Sequence, residues 1–219
     1  MNSLPFNNKV AAFTTVASTI LSIALIINHP TIGNHELSRQ VAENAHEMGI
    51  NNLVHGGLIG LLMANCLAFA IYSSLRGLSN ISVLSALTLY IISTILMTLA
   101  ALVNGFIYPN FLQEVATHQS ELLTYTPLFR AFSWNINQAL ANTSVIGTSL
   151  SIAFWSLNLL QSQQLQKIVA VFGLIIGLTI SISIISGWLT LNLFGMTLVV
   201  CIQGIWNLAI AYLLLSKTN

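Results

Sequence analysis

Two histidines lie at the edges of long apolar runs, where their side chains could hold a polar solute or a divalent metal. His29 follows the first apolar run of the chain, and His55 lies at the start of the second. Neutral imidazole is a common ligand for zinc, and both of its ring nitrogens form hydrogen bonds. We therefore expect any chemistry of this chain to lie near these two residues.

Counting along each apolar run gives a depth for the polar residues beside it. A helix rises about 1.5 Å per residue, so a count of some 20 residues from Lys9 reaches His29, and the same count back from Arg76 reaches His55. The two histidines are thus predicted to share one depth. Asn104, Asn137 and Gln138 fall near the same depth, Gln203 somewhat deeper and Arg130 one to two turns above. Together they form the predicted site: His29, His55, Asn104, Arg130, Asn137, Gln138 and Gln203.

Polar side chains inside a membrane usually face a cavity or a partner and mark function. This set therefore predicts a polar vestibule at one end of a helix bundle. The alternative interpretation is that residues near the water boundary are simply hydrated, and that the amides join neighbouring helices.

Metal binding is a second hypothesis for the same region, because imidazole and carboxylate are the usual zinc ligands. One candidate set is His29, His46, His55 and Glu47, and another is Glu114, His118 and Glu121, which share one face of a helix. Neither set matches HExxH or another paired metal motif. External helices with histidine and glutamate are more often solvated faces, so no cofactor follows, and a zinc ion remains an alternative. Haem between His29 and His55 is a further alternative.

Other kinds of catalysis find little support in the sequence. The chain contains no aspartate, no GxSxG nucleophile motif and no glycine-rich phosphate loop. These absences argue against a hydrolase and against nucleotide binding, and they favour a protein that is not an enzyme.

The composition indicates what surrounds these residues. Only 5% of the 219 residues are charged and 55% are hydrophobic, whereas a soluble domain has roughly 25% charged residues. So few charges cannot coat a water-soluble surface, and the expected partner is the lipid bilayer. A net charge of +1 gives no basic field for nucleic acid.

Six apolar runs are long enough to cross about 30 Å of hydrocarbon. They cover residues 10–28, 53–75, 81–108, 127–160, 168–189 and 193–215. A segment in lipid must satisfy its own backbone hydrogen bonds, so each run is predicted to be a helix. The expected fold is a single all-α domain, residues 1–219, with six transmembrane helices.

Basic residues give the orientation, because cytoplasmic loops carry an excess of lysine and arginine. Lys9, Arg76, Lys167 and Lys217 fall on one side if the spans alternate, while all five glutamates fall in the two opposite loops. The chain is therefore expected to have both termini in the cytoplasm, in a bacterial inner membrane.

The two external loops are predicted to carry amphipathic helices at residues 34–49 and 110–123, the first ending at Gly49. Small residues at helical spacing, which allow close helix approach, mark two predicted packing faces: Gly56, Gly60, Ala64 and Ala68 in the second span, and Gly173 and Gly177 in the fifth.

Four stretches give the chain a family resemblance: Asn28-His29-Pro30, Val54-His55-Gly56, residues 104–109 and residues 135–140. With them the chain resembles small bacterial six-span inner-membrane proteins, and more loosely the AciT-type proteins, which are trimers linked to membrane homeostasis. The resemblance implies a homo-oligomer, a trimer, and a role in membrane homeostasis. It transfers no functional residue.

Three hypotheses of function follow. The first is an inner-membrane protein with a polar outer vestibule, of the transporter or membrane-homeostasis type. The second is a metal-dependent membrane enzyme that acts on lipid or on a periplasmic substrate. The third is a structural or assembly subunit.

Overall fold

The computed structural model describes residues 6–29, 37–118 and 122–216, with the side chains of 37–47, 116–118 and 122–123 left aside. Nearly all of the described chain is helical, and it contains no strand. The seven α-helices in these ranges are α1 (Phe6–Ile27), α2 (Leu37–Arg76), α3 (Ile81–Leu102), α4 (Tyr108–His118), α5 (Thr126–Leu159), α6 (Gln164–Ile185) and α7 (Leu193–Ser216).

Six helical segments in the described ranges are long and apolar enough to cross a membrane. They are α1, the part of α2 from Met48 onward, the stack Ile81–Val115, α5, α6 and α7. Their outward faces carry exposed leucine, isoleucine and phenylalanine side chains, as suits a surface in contact with lipid tails. The all-α, six-helix class is thereby confirmed, as expected of a multi-pass membrane protein.

The second helix differs from its prediction. The sequence predicts a separate amphipathic helix that ends at Gly49, whereas α2 runs without a break for 40 residues through Gly49. One glycine in a helix interior costs only about 1 kcal/mol, which does not end a helix whose remaining hydrogen bonds are intact. The amphipathic segment is therefore a direct extension of the second span.

The third span also continues beyond its predicted end. A π-helical turn, Val103–Ile107, joins α3 to α4, and a short 3₁₀ turn, Leu122–Tyr125, precedes α5. Pro127 lies in the first turn of α5, where a missing backbone N–H costs nothing.

The long helices form a ring. Going around it, α1 contacts α2, α2 contacts α3, α3 contacts α5, α5 contacts α6, α6 contacts α7, and α7 returns to α1. We call the end of the bundle that holds His29, His55 and Leu191 the histidine end. The opposite end, which holds Lys9, Arg76 and Lys167, is the basic end.

The two predicted packing faces have different surroundings. On α6, Gly173 lies against Ser156 and Trp206, and Gly177 lies against the backbone of Ser149 on α5. On α2, Ala68 is buried, but a Cβ atom added at Gly60 would have no neighbouring atom within 4 Å. Within the described residues, the α6 face is therefore closely packed, whereas the α2 face is buried at Ala68 and open at Gly60.

An aromatic cluster fills the ring in its basic half. Phe69 stacks on Trp155 with ring centroids 4.8 Å apart and on Trp206 at 5.8 Å. Tyr90 lies 5.1 Å from Phe69, and Tyr72 lies 6.0 Å from it. The indole N–H of Trp155 donates to Ser73 Oγ at 3.0 Å. We call these five aromatic residues the aromatic floor, because they close the space between the helices.

Candidate functional site

A cavity of about 480 Å³ lies inside the ring between the histidine end and the aromatic floor. Residues of α1, α2, α3, α5 and α7 line it, whereas α6 contributes none of the described lining residues. Arg130 and Trp134 line the cavity and are exposed, so it reaches the surface at the histidine end. Phe69 is 1% exposed and packs beneath the cavity, 5.1 Å from the ring of the lining residue Tyr90.

The structure brings all seven residues of the predicted vestibule to the wall of this one cavity. They are His29, His55, Asn104, Arg130, Asn137, Gln138 and Gln203. The depth predicted for the two histidines corresponds to the upper part of the cavity, and Gln203 lies deeper along α7.

The two histidines contact each other directly. Their Nε2 atoms are 3.2 Å apart and their rings are nearly perpendicular, with an interplanar angle of 73°. His55 Nδ1 lies 3.0 Å from the backbone oxygen of Asn51, and because a carbonyl only accepts, Nδ1 carries the proton and donates. The Nε2 of neutral His55 is then an acceptor, so His29 Nε2–H donates to it.

The π-helical turn explains why His55 lies where it does. A Cβ on Gly105 would overlap the His55 side chain, so glycine leaves the space in which the imidazole packs. Asn51 Nδ2 also donates to the backbone oxygen of Gly105 at 2.7 Å. Turns of this kind occur frequently at functional sites, and here one locks His55, which is 4% exposed.

Three amides of the wall each use an N–H to hold neighbouring segments together: Asn137 and Gln203 join two helices, and Gln138 joins α5 to the connection between α6 and α7. Asn137 donates to the backbone oxygen of Ala100 at 2.9 Å, and Gln138 donates to that of Leu191 at 3.3 Å. Gln203 Nε2 donates to Ser149 Oγ at 3.0 Å. Asn137 and Gln203 therefore do join neighbouring helices, and the same kind of bond fixes the orientation of all three amides in the cavity wall.

Sequence reasoning missed the polar residues of the lower cavity. Ser18 donates to Asn65 Oδ1 at 3.0 Å, and Asn65 Nδ2 donates to the Tyr90 hydroxyl at 2.8 Å. Asn207 Nδ2 lies 3.4 Å from Thr19 Oγ1. The sequence does contain a signal for them, because an asparagine in mid-span rarely faces lipid. A count of polar residues that is restricted to the depth of the histidines leaves these asparagines out.

The two arginines whose side chains the structure describes, Arg76 and Arg130, have different surroundings. Arg76 at the basic end donates to Asn158 Oδ1 at 2.8 Å and to Ser162 Oγ at 3.2 Å. Arg130 at the histidine end lines the cavity, and no described carboxylate forms an ion pair with it. Arg76 therefore holds helix ends together, while Arg130 gives the cavity mouth its charge.

The candidate metal sets are only partly assembled. Within the described part of the chain, no group of three or more histidine, cysteine or acidic side chains is close enough to hold a metal. The side chains of His46, Glu47 and His118, and all of Glu121, lie outside the described residues. Residues 46 and 47 precede His55 on one continuous helix by a rise of about 12 Å or more, so only His29 and His55 come together. Their direct contact leaves no space for a haem plane between them.

The comparisons with known proteins give no family. No family model, curated protein or solved structure matches this chain.

Proposed function

We propose that this chain is a bacterial inner-membrane protein of the transporter type, which takes up a small polar solute into its central cavity from the outer face of the membrane. The observation that carries the proposal is the cavity of about 480 Å³, polar at its mouth and closed by the aromatic floor. Small-molecule sites commonly have volumes of about 300–1,000 Å³.

The proposed orientation of the protein in the membrane rests on the basic residues. Lys9, Arg76 and Lys167 lie at one end of the bundle, and basic residues concentrate on the cytoplasmic side of membrane proteins. The histidine end then faces the periplasm with both termini in the cytoplasm. From the resemblance of its sequence stretches to AciT-type proteins, we also propose a role in membrane homeostasis and a homo-oligomer.

The barrier of the cavity suits a carrier. Carriers bind solute near the bilayer midplane and open to one side at a time. Here the aromatic floor and the buried leucines on its basic side, Leu159, Leu213 and Leu214, separate the cavity from the basic end. A rearrangement of Phe69 and these neighbours would open the other side.

Thiol labelling tests both the opening and the orientation. In a background with Cys66→Ala and Cys201→Ala, we expect Thr148→Cys on the cavity wall to react with a membrane-impermeant thiol reagent added outside intact cells. The matched control is Thr143→Cys, which lies on the same helix nearer the histidine end but is exposed on the bundle exterior. It should not react, because lipid covers it.

Function is measured in the same cells as complementation of a deletion strain. The Thr148→Cys variant should complement the strain before labelling and should fail to do so afterwards. Labelling of Thr143→Cys but not of Thr148→Cys would contradict the proposal, and so would labelling only in inverted vesicles.

A metal-dependent enzyme is the second candidate, and the contact between the two histidines favours it. Two zinc ligands at about 2.0–2.1 Å in a tetrahedral site have nitrogen atoms roughly 3.4 Å apart, and the two Nε2 atoms here are 3.2 Å apart. The bond from His55 Nδ1 to a backbone carbonyl resembles the outer-shell support of metal-binding histidines.

Zinc binding to the purified protein tests this candidate. If the pair is a metal site, equilibrium dialysis should give near one zinc per chain, and His55→Ala and His29→Ala should each weaken binding by about 10- to 100-fold or more. Gln138→Ala, also on the cavity wall, is the control and should bind zinc normally. Equal zinc uptake by all variants would exclude the pair as its site.

A further inference from the structure

The charges of the cavity wall indicate which class of solute the proposed carrier takes. Among the lining residues that the structure describes, Arg130 is the one ionised side chain at neutral pH apart from any charged histidine, and none is a carboxylate. A low-dielectric cleft lined by one sign of charge concentrates ions of the opposite sign. The described lining therefore favours an anion beside Arg130.

The guanidinium of Arg130 suits an oxyanion. It presents several N–H donors in a planar fork that matches carboxylate and phosphate geometry. Arg76 shows the alternative, since its donors are used by Asn158 and Ser162. Arg130 has no such partners among the described residues, which leaves its fork for a ligand at the mouth.

The amides below the mouth indicate a second property of the solute, namely its hydrogen-bonding groups. Asn137, Gln138 and Gln203 each donate an N–H to the protein, and their carbonyl oxygens accept no hydrogen bond from the described chain. These oxygens are acceptors on the cavity wall. They are best satisfied by hydroxyl or N–H groups of a solute.

Resting on the proposed function, we infer that the solute is a small organic oxyanion with hydrogen-bond donors, its negative group against Arg130 and its donors at the amide carbonyls of Asn137, Gln138 and Gln203. A free hydroxycarboxylate has this chemistry, and so does the glycerol phosphate headgroup of phosphatidylglycerol.

Binding is measured on the full-length protein in nanodiscs of zwitterionic lipid. The probes are lactate, 3-hydroxybutyrate and mandelate, each paired with its neutral amide, and glycerophosphoglycerol as the soluble headgroup. We expect at least one anion to bind about tenfold more tightly than its neutral partner, which is the effect of one charge-assisted hydrogen bond. Arg130→Gln should remove that preference, and added salt should weaken it.

Lys167→Gln is the matched control, because Lys167 is an exposed basic residue at the opposite end of the bundle. It should leave the preference unchanged. Tight binding of hydroxycarboxylates alone would identify a free solute, whereas tight binding of glycerophosphoglycerol, with phosphatidylglycerol retained on purification, would identify a lipid headgroup. Either result supports the inferred chemistry if it depends on Arg130.

A cavity-filling variant, Val200→Trp, separates this inference from the proposed function. If acids and amides bind equally, and both are lost in Val200→Trp, the inference of an anion is wrong and the solute cavity remains. If no probe binds, or if binding survives in Val200→Trp, both the inference and the proposed function are overturned.

Discussion

Replacing Phe69 by alanine is expected to connect the cavity with the basic end of the bundle. Phe69 contacts each of the other four rings of the aromatic floor, with centroids 4.8 to 6.0 Å away, so its removal opens the centre of the barrier. The deletion of a buried phenylalanine also costs about 3–5 kcal/mol of stability. We therefore expect both a leak and a lower unfolding midpoint.

A cysteine below the floor reports the leak. Leu213 is 6% exposed and lines a small pocket beside Tyr72 and Arg76, on the basic side of Phe69. In the cysteine-free background, Leu213→Cys should be silent towards an impermeant reagent added outside, and it should react once Phe69→Ala is combined with it.

Phe69→Leu is the control, because leucine keeps most of the apolar volume and should keep the barrier closed. Reaction of Leu213→Cys without any change at Phe69 would show that the floor is not a barrier. The unfolding midpoint of each variant in detergent separates a local opening from general unfolding.

Counting residues gives the depth of the polar side chains but not the direction in which they point. The depths of the vestibule residues can be estimated because depth follows from the rise of a helix and the predicted cytoplasmic end of each span, such as Lys9 for His29 and Arg76 for His55. That they face one cavity depends on how each helix is rotated about its axis, which packing determines. The sequence therefore predicts that His29 and His55 lie at the same depth, but it does not predict that their side chains are in contact.

The lower cavity and the π-helical turn escape prediction for two different reasons. Asn65 and Asn207 can be noticed in the sequence because they are asparagines in mid-span. They lie below the depth of the histidines, so a count of polar residues at that depth does not include them. The turn at Val103–Ile107 has no periodicity signal, because one extra residue in a helical turn leaves the apolar pattern nearly unchanged. Its trace in the sequence is Gly105, whose role becomes visible only when the His55 side chain lies against it.

The stop predicted at Gly49 shows the limit of local rules. Glycine often ends a helix because it adopts a left-handed backbone conformation, but in the described chain only Gly77 and Gly187 have positive φ, at 95° and 75°. Both lie directly after a long helix or its last turn. No turn follows Gly49, so the helix continues through it into the apolar run beyond.

Substitution of Gly177 by alanine is expected to destabilise the bundle and disturb the cavity, although α6 does not line it. An added Cβ would lie 2.5 Å from the backbone oxygen of Ser149 and 3.2 Å from Ala153 Cβ. A backbone oxygen cannot rotate away, so α5 and α6 must separate, at a cost of about 1–3 kcal/mol. Because Ser149 Oγ accepts from Gln203 at the cavity wall, the displacement also reaches the site.

Gly60→Ala is the matched control for this substitution. A Cβ at Gly60 meets nothing within 4 Å, and alanine is favoured over glycine in a helix interior by up to about 1 kcal/mol, so this variant should be neutral or slightly more stable. Denaturant unfolding in nanodiscs measures both changes, and cysteine labelling at Thr148→Cys measures the effect on the cavity. The opposite signs follow from the packing of the two helices, since α6 touches α5 at its glycine face and α2 leaves Gly60 open. Equal stability of Gly177→Ala and Gly60→Ala would mean that α5 and α6 are less closely packed than their glycine contact requires.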